Sequence, residues 1–523
     1  MQPVLPPAQR LPLFATAATR AIEQRGATNL PTHTLMQRAG EAVARLALAL
    51  APHASRVWIA AGPGNNGGDG LEAAMHLQRR GKQVHVTLAA DAQRLPADAG
   101  AALARAQAAG VLIHSTGCPD LGPQDVAIDA VLGIGIRRAP EGQIAALIAQ
   151  LNTLRCAVLA VDVPSGLHAD TGLAFGAACV VARHTLSLLT LKPGLFTGAG
   201  RDHVGTVWMD ALGVDAPAEP PDAWLAGRDA LSSLAPQRRH AQHKGSFGDV
   251  AVVGGARGMT GAALLAARAA HAAGAGRVFV NLLDTSPMSH DVLRPELMFR
   301  TDWAASAPAV LAGSTVVCGC GGGTAVRDVL PRLLSRVPRL VLDADALNAI
   351  AIDSILQSLL IARRDAGHTT VLTPHPLEAA RLLNQTTAQV QADRLAGAAQ
   401  LARRFNCVVL LKGSGTVVAA PGHITSINPT GNAALATAGT GDVLAGWLGG
   451  FWSQVDQTAR PDGLAADATS ALASPAFRAA VAAAFAHGAA ADATPRFPLR
   501  AADLIEAMHH IQGSRHSHRD AEF

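Results

Sequence analysis

Short runs rich in Val, Ile and Leu alternate with longer Ala-rich runs along the first part of the chain. Their lengths and compositions are typical of strands and helices respectively. Strands that alternate with helices predict a parallel sheet with helices on both faces, and ligands bind such sheets beyond the carboxyl ends of the strands. The predicted strands are Arg56–Ala61, Gln83–Leu88, Val126–Leu132 and Ala157–Val163, with helices at Leu71–Arg80 and Asp98–Gly110.

The alternation stops at a Pro-rich polar stretch, Ala216–Pro221, and then resumes. A stretch of this composition is typical of a linker. We therefore predict an α/β protein of two domains, each a three-layer αβα sandwich with a mainly parallel sheet. The predicted boundaries are 1–216 for the first domain, 217–224 for the linker, 225–512 for the second domain and 513–523 for a polar tail. The second domain has predicted strands at Asp249–Val253, Arg277–Leu282, Thr315–Cys318, Arg339–Leu342, Thr370–Leu372 and Cys407–Leu411.

Composition excludes several classes of protein. Aromatic residues make up only 3% of the 523 residues and Tyr is absent, which argues against an RNA-stacking surface. The net charge of +4 is spread over the chain and gives no basic footprint for nucleic acid or an anionic membrane. No signal peptide is evident, and the apolar stretch Ala433–Trp452 carries Asp442 at its centre, which fits a buried helix better than a membrane span. We expect a cytoplasmic protein with no nucleic-acid or membrane partner that forms a weakly held homo-oligomer.

The segment richest in functional residue types is Gly62–Gly70, with the sequence GPGNNGGDG, between a predicted strand and a predicted helix. Glycines there let backbone N–H groups approach a phosphate at the start of a helix. Asn65, Asn66 and Asp69 add side-chain oxygens that can hold a hard cation or a ribose hydroxyl. The alternative interpretation is a Gly-rich turn with an Asp that caps the helix.

Two further turns offer similar chemistry. Asp129 lies in the strand IDAVLGIG, before Gly133 and Gly135, and Asp162 and Ser165 lie in the turn VDVPSG. A partly buried carboxylate beside a bound substrate is a natural general base. Asp129 taken alone could equally be a helix cap.

These motifs, with LMQRAG (Leu35–Gly40), resemble the NAD(P)H-hydrate epimerase domain over about the first 215 residues, which implies a Rossmann-like fold. Gln37 departs from the Glu that such proteins often carry. The resemblance implies potassium (K⁺) ligands at Asn66, Asp129 and Ser165, and an acid/base role for Asp162, which would also bind substrate. It further implies substrate contacts at Asn65, Asn66, Gly67, Gly68, Asp69, Gly133, Ile134, Gly135, Ile136, Arg137, Arg138 and Ala139.

In the second domain, the segment Thr430–Gly446 (TGNAALATAGTGDVLAG) is the most informative. Its GTGD turn places consecutive backbone N–H groups at a predicted helix start, which suits an anion. Asp442 can accept a proton from a hydroxyl group as its oxygen attacks a phosphoryl group. The alternative is that Asp442 only caps the helix. Glycines at Gly254–Gly261 do not have the spacing of a dinucleotide-binding fingerprint, which we reject.

The GTGD turn resembles the ribokinase-like superfamily, and the motifs HKGSFG, LDADALN and TPHPLE are similar to its NAD(P)H-hydrate dehydratase branch over about residues 225–512. The resemblance implies that Asp442 is the catalytic base and that Asp345 orders the site. Without it, His375 would be interpreted as a structural hydrogen-bonding residue. The implied substrate contacts are Ala262, Gly321, His375 and Asp442, and the implied nucleotide contacts are Lys412, Gly413, Ser414, Gly415, Thr416 and Gly441.

The second domain departs from the family pattern at CGCGGG (Cys318–Gly323), where GPGLG is usual, and at Ala433, Ala434 and Ala438. Cys318 and Cys320 have no companion pair at zinc-ligand spacing, so we interpret them as small buried apolar residues. The six cysteines are scattered, and no disulfide framework is predicted.

Together the two resemblances imply repair of hydrated NADH and NADPH (NADHX and NADPHX). The first domain would interconvert the R and S forms with K⁺, and the second would dehydrate the S form with ADP and Mg²⁺ to restore NAD(P)H. Two alternatives stay open on sequence alone. The chain could be a kinase of a vitamin or sugar hydroxyl, because the GTGD turn is shared, or its first domain could be a non-catalytic binding module.

Overall fold

The computed structural model describes residues 2–215, 219–232, 240–283, 288–455, 474–494 and 498–519. The chain divides into two compact units. Unit 1 comprises Met1–Pro6 and Pro12–Trp224, and unit 2 comprises Pro7–Leu11 and Leu225–Phe523. Residue 216 of the predicted first domain, residues 217 and 218 of the predicted linker and residues 520–523 of the predicted tail lie outside the described residues.

Unit 1 is built on a seven-stranded parallel sheet with the order β4-β3-β2-β5-β6-β7-β8. A short strand β1, Leu11–Leu13, precedes it in the chain. The strands are β2 Arg56–Ala61, β3 Gln83–Leu88, β4 Leu112–His114, β5 Val126–Ala130, β6 Ala157–Val161, β7 His184–Leu188 and β8 Thr206–Asp210. The helices are α1 Thr16–Ala27, α2 Thr34–Leu50, α3 Asn65–Arg79, α4 Ala97–Ala108, α5 Gly142–Thr153 and α6 Gly200–His203.

Alternate residues of the unit 1 strands enter two separate cores. Val57 and Ile59 of β2 pack with α2, α3 and α4 on one face, whereas Trp58 and Ala60 pack with α5 on the other. Because successive side chains of a strand point to opposite faces, this partition makes unit 1 a three-layer αβα sandwich. The predicted fold class is confirmed for this unit.

Helix α3 begins earlier than the sequence pattern predicted. The first helical residue is Asn65 rather than Leu71, so most of the Gly-rich segment is helical and not a turn. The reason is close packing. A Cβ at Gly70 would lie 2.5 Å from the Cβ of Ala130 in β5, and one at Gly68 would lie 2.6 Å from the Met36 side chain. Several of the glycines therefore let α3 approach the sheet and α2 as well as serving any ligand.

Unit 2 has a larger sheet of the same kind. Nine of its strands lie in the order β12-β11-β10-β13-β14-β15-β16-β17-β18, and their pairs are parallel except for the antiparallel pairs β16–β17 and β17–β18. After β9 (Ala223–Leu225), the strands are β10 Asp249–Gly254, β11 Arg277–Leu282, β12 Met298–Phe299, β13 Ser314–Cys318, β14 Arg339–Leu342, β15 Thr369–Leu372, β16 Val408–Leu411, β17 Val417–Ala419 and β18 Thr425–Ile427.

The helices of unit 2 cover both faces of this sheet. One core contains Val250 and Val252 with α8 and α16, and the other contains Ala251 and Val253 with the helices that follow β13, β14 and β15. The helices are α7 Asp229–Ser232, α8 Thr260–Ala272, α9 Pro308–Ala312, α10 Val326–Arg336, α11 Ala344–Ala351, α12 Ser354–Ala362, α13 Pro376–Leu383, α14 Thr387–Ala392, α15 Arg394–Phe405, α16 Thr440–Gln454, α17 Pro475–Ala493 and α18 Ala501–Arg519.

The structure tests three predictions made from the sequence, which concern the polar tail, the linker and membrane-spanning helices. The segment 513–519 of the predicted polar tail is helical, because α18 continues to Arg519. The last residues of the predicted linker enter β9 at Ala223. In the part of the chain that the structure describes, no single helix is long and apolar enough to span a membrane. Only the pair α11 and α12 meets that test jointly, with a bend of 111° between them.

Candidate active sites

A cavity of about 910 Å³ opens in unit 1 at the carboxyl ends of neighbouring parallel strands. The turns after β2, β5 and β6 contribute to it, as expected for a ligand site in such a sheet. The predicted site residues that line it are Asn65, Asn66, Asp69, Gly133, Ile134, Gly135, Ile136 and Asp162. Gly67 and Gly68 are instead buried within α3, and Arg137, Arg138 and Ala139 form an exposed continuation of the Gly133 loop.

Asp129 and Ser165 are joined directly beneath this edge of the sheet. Both are completely buried. The Ser165 hydroxyl donates to Asp129 Oδ1 at 2.6 Å, and the Ser165 N–H donates to Oδ2 at 2.8 Å. The Leu132 N–H donates to the Ser165 hydroxyl oxygen at 2.7 Å. Burial raises the pKa of Asp129 to about 6, against the opposing effect of these hydrogen bonds.

The residues predicted to hold K⁺ fit a hard cation. Asp129 has no cationic partner among the described residues, although its carboxylate is fully buried. Asn66 is also buried, its amide nitrogen has no hydrogen-bond partner, and a Cβ at Gly133 would lie 3.3 Å from its Oδ1. Since amide nitrogen and oxygen exchange by rotation, the amide can present its oxygen instead. Carboxylate, amide and hydroxyl oxygens are the donors that hard cations take.

Asp162 is held in an unusual backbone conformation at the wall of the cavity. Its φ is +67°, a left-handed value that is costly for a residue with a Cβ. Its carboxylate accepts from the Leu188 N–H at 3.1 Å and forms an ion pair with Lys192. These contacts offset the backbone strain and fix the direction of the carboxylate.

Sequence reasoning missed Lys192. Its side chain is completely inaccessible to solvent, and its ammonium also donates to the carbonyl oxygens of Leu188 at 2.7 Å and Thr190 at 3.0 Å. A single Lys in the apolar run SLLTLKPG was a usable signal, because a buried cation requires a partner. Nothing in the sequence indicates that this partner is Asp162.

Two more carboxylates line the same cavity, on α3 and α1. Burial and the nearby charge of Asp162 raise the pKa of Asp69 well above its ordinary value. Burial also raises the pKa of Glu23, with a further contribution from Asp162. Glu23 was not predicted, because α1 carries no motif.

In unit 2, the predicted residues lie at the carboxyl edge of the sheet. They are carried by the segments that follow the adjacent strands β10, β13, β14, β15 and β16, and by the start of α16. Asp442 occupies the first turn of α16, whose preceding residue Gly439 has a left-handed φ of +91°. One ligand atom each of Cys320, Asp343 and Asp442 lies within 4.8 Å of the others. Burial, with a smaller contribution from the charge of Asp343, raises the pKa of Asp442 to about 6. No side-chain hydrogen bond caps α16, so the capping interpretation of Asp442 finds no support in the geometry.

Lys412 forms the cationic part of this cluster. Its ammonium donates to Asp343 Oδ1 at 2.7 Å, and Thr373 donates to the same oxygen at 2.8 Å. Burial opposes the charge of Lys412, but Asp343 and Glu378 outweigh it and raise its pKa. A Cβ at Gly441 would lie 3.4 Å from the Lys412 ammonium nitrogen, so the ammonium lies beside the GTGD turn.

The segment Lys412–Thr416 forms the predicted nucleotide-contacting turn after β16. Gly413 and Gly415 have left-handed φ values of +134° and +62°, which favour glycine. Arg394 is buried beneath the turn and donates to the Lys412 carbonyl oxygen at 3.1 Å. A Cβ at Gly413 would lie 2.9 Å from this guanidinium. Ser414 is exposed at the tip of the turn.

His375 is the N-cap of α13, so the structural role considered for it is real. Its Nδ1 accepts from the N–H of Leu377 at 3.1 Å and of Glu378 at 3.3 Å, while Glu378 accepts from the His375 N–H. Burial, with a smaller effect of Lys412, lowers the pKa of His375. Burial raises the pKa of Glu378 to about 7. The half-buried ring of His375 leaves it available for substrate as well.

The remaining predicted contacts lie around the loop after β13. A Cβ at Gly321 would come within 2.9 Å of the Ala262 Cβ, so this loop and the start of α8 touch. Asp345 accepts from the Gly323 N–H at 2.8 Å and fixes the loop, in line with the ordering role implied for it. Cys320 is buried, as expected, and its thiol faces Asp442, which was not expected. All six cysteines are free.

Sequence similarity covers both units. A family model described as NAD(P)H-hydrate dehydratase matches residues 250–512, and one described as YjeF-related protein N-terminus matches residues 32–194. The chain is 37% identical to the bifunctional NAD(P)H-hydrate repair enzyme of Escherichia coli over 503 residues, which covers 92% of this chain and 90% of that protein. It is 36% identical to the same-named enzyme of Moorella thermoacetica, with 87% of each chain covered.

Among solved structures, unit 2 is similar to the ADP/ATP-dependent NAD(P)H-hydrate dehydratase of Bacillus subtilis, crystallised with ATP and Mg²⁺. The TM-score is 0.42 and the identity 26%, with 54% of this chain and 95% of that chain covered.

Fold and geometry together define a two-domain α/β enzyme with a group of carboxylates at the carboxyl edge of the sheet in each unit. The sequence matches over nearly the full length make the particular assignment. The chain belongs to the family of bifunctional NAD(P)H-hydrate repair enzymes.

Proposed function

We propose that this chain repairs hydrated NADH and NADPH, with an epimerase in unit 1 and an ADP-dependent dehydratase in unit 2. The observation that carries the proposal is the match of both units to one bifunctional family. It is supported by the two acid–base sites, one in each unit, at the sheet edges where ligands bind. Both sites address one compound, because water added across the nicotinamide ring gives two epimers of a hydroxylated cofactor.

In unit 1, Asp162 is the proposed acid/base residue. The residues from Asn65 to Asp69 and from Gly133 to Ala139 would contact substrate, with its phosphates beside the Gly133 loop. K⁺ would be held by Asn66, Asp129 and Ser165, where it would compensate the buried carboxylate charge. With K⁺ bound, these three side chains would be held in fixed positions beneath the substrate.

In unit 2, Asp442 is the proposed general base. It would take the proton of the S-form hydroxyl as that oxygen attacks the terminal phosphoryl group of ADP, with AMP as the leaving group. Loss of phosphate together with a proton from the adjacent ring carbon would then restore NAD(P)H. Lys412 to Thr416 and Gly441 would contact the nucleotide, and Ala262, Gly321 and His375 the hydrated cofactor. Mg²⁺ would enter with the nucleotide phosphates, as is usual for this ion, and would neutralise charge on them.

The test uses a mixed pool of the R and S epimers of hydrated NADH, with Mg²⁺, K⁺ and either ADP or ATP. Recovery of the near-ultraviolet absorbance of the full pool supports both activities, and the faster nucleotide identifies the donor. Recovery that stops at the S fraction contradicts the epimerase assignment. No recovery with either nucleotide, together with stable phosphorylation of a vitamin or sugar, would replace the proposal with the kinase alternative. The cytoplasmic location and the homo-oligomer stay predictions.

A further inference from the structure

Two of the carboxylates that line the unit 1 cavity, Asp69 and Asp162, have opposite surroundings although both face the same space. Asp162 is ion-paired to Lys192 and accepts from the Leu188 N–H. The Asp69 side chain has no hydrogen bond or ion pair among the described residues and faces other acids. The charged and titratable groups that surround the two are Arg20, Glu23, His33, Glu72, Asp98 and Lys192.

We propose that Asp69 and Asp162 act as an acid–base pair, Asp69 as the carboxylic acid and Asp162 as the carboxylate, and that Lys192 is the positioning residue that holds Asp162 in that form. This inference rests on the proposed epimerase function and assigns a role to each group. It also explains why a fully buried lysine lies beneath an open cavity.

Lys192 acts through Asp162 and not on the substrate. Its side chain is inaccessible to solvent and is absent from the residues that line the cavity. Its ammonium is oriented by the backbone carbonyls of Leu188 and Thr190 and by the Ser187 hydroxyl at 3.3 Å. Among the described residues, this ammonium forms its ion pair with Asp162, and an ammonium held beside a carboxyl group in this way favours the carboxylate form.

Asp69 is suited to carry a proton. Burial, then the charges of Asp162 and Glu23, raise its pKa well above the ordinary value, which favours the carboxylic acid form. A carboxyl group paired with a buried ammonium and a second one without such a partner, in one cavity, are the usual arrangement of a base and an acid.

The chemistry balances with these two groups alone. The Asp69 carboxyl proton goes to the hydroxyl oxygen of the substrate, the carbon–oxygen bond breaks, and its electron pair leaves with water. The lone pair of the adjacent ring nitrogen stabilises the cation. Water then adds to the opposite face of the carbon, and its proton goes to the Asp162 carboxylate. Transfer of that proton back to Asp69 through solvent restores the starting state, with no net oxidation.

The first experiment measures conversion of the pure R epimer to the S epimer, across pH, for Lys192→Met and for the control Lys82→Met. Lys82 also binds backbone carbonyls, but those of Pro52 and Ala54, and it does not line the cavity. We expect K192M to lower kcat by roughly 10²-fold and to move the acidic limb of the pH–rate profile to higher pH, with K82M unchanged. An equal loss at every pH would show a merely structural role and overturn the assignment.

A double variant keeps the test valid if K192M folds poorly. Asp162→Asn combined with Lys192→Met removes both charges at once and leaves no unpaired buried ion. Because Lys192 is proposed to act only through Asp162, the double variant should be no slower than D162N alone. A further loss in the double variant would contradict the proposal.

The acid is tested with Asp69→Asn against Glu23→Gln, the other cavity carboxyl with a raised pKa. We expect D69N to slow epimerisation and ¹⁸O exchange between water and the hydroxyl group by the same factor, and the residual rate to lack the basic limb, where the acid loses its proton. Loss of that limb in E23Q instead would overturn the choice of Asp69. Far-ultraviolet circular dichroism and thermal unfolding report the folding of each variant. Failure of the wild-type chain to epimerise would reject the proposed function itself, separately from this inference.

Discussion

Dehydration of the pure S epimer is expected to lose rate as the pH falls through about 6, because Asp442 must be ionised to accept a proton. Burial, then Asp343, raise the pKa of Asp442 from 3.8 to about 6. The sign follows from the raised pKa: the base is fully available above it and is lost below it. One pH unit below this value, about a tenth of the molecules keep the base ionised, so the rate should fall about tenfold. An aspartate at its ordinary pKa would show almost no loss there.

The assay is single-turnover dehydration with saturating nucleotide, so that chemistry and not product release is measured. Asp442→Asn should lower the rate by roughly 10²- to 10⁴-fold and remove the acidic limb. Asp365→Asn, an exposed aspartate of the same unit, is the matched control and should change neither. A wild-type profile that stays flat down to about pH 5 would refute the reasoning about burial, and an unchanged rate in D442N would refute the role of Asp442.

Three further outcomes follow from contacts described above. Asp129→Asn should weaken the K⁺ dependence of epimerisation, measured by K⁺ titration, and an unchanged activation constant would contradict the K⁺ assignment. Lys412→Met leaves the buried Asp343 carboxylate without its cation, so urea unfolding should show a loss of about 3–5 kcal/mol, and a loss near zero would mean that the pair is not buried in solution. Gly70→Ala should lower the free energy of unfolding by about 1–3 kcal/mol, because the new Cβ would lie 2.5 Å from the Cβ of Ala130. Gly100→Ala in α4, with nothing within 4 Å, should stabilise the protein by about 0.5–1 kcal/mol, and equal effects of the two glycine changes would refute the packing argument.

The sequence by itself determined the fold class, because hydrophobic period and turn chemistry are local properties. Alternating strand and helix patterns gave the parallel sheets and nearly all central strands at their observed positions, such as Arg277–Leu282 and Arg339–Leu342. Motifs that follow strands were also placed correctly at the carboxyl edge, since parallel strands end on the same side. The start of α3 at Asn65 was missed because glycines that pack a helix closely look like a turn in sequence.

Only the tertiary structure decided which groups share an environment. Lys192 is thirty residues from Asp162 in sequence, and Lys412 is sixty-nine from Asp343, yet each pair is an ion pair. Cys320 faces Asp442 because the loop after β13 meets the start of α16. Protonation depends on burial and on the charges nearby, and both are set when strands distant in sequence are brought side by side. Local sequence motifs therefore determine which residue types occupy the two sites, whereas the tertiary structure determines which of them act as acids and which as bases.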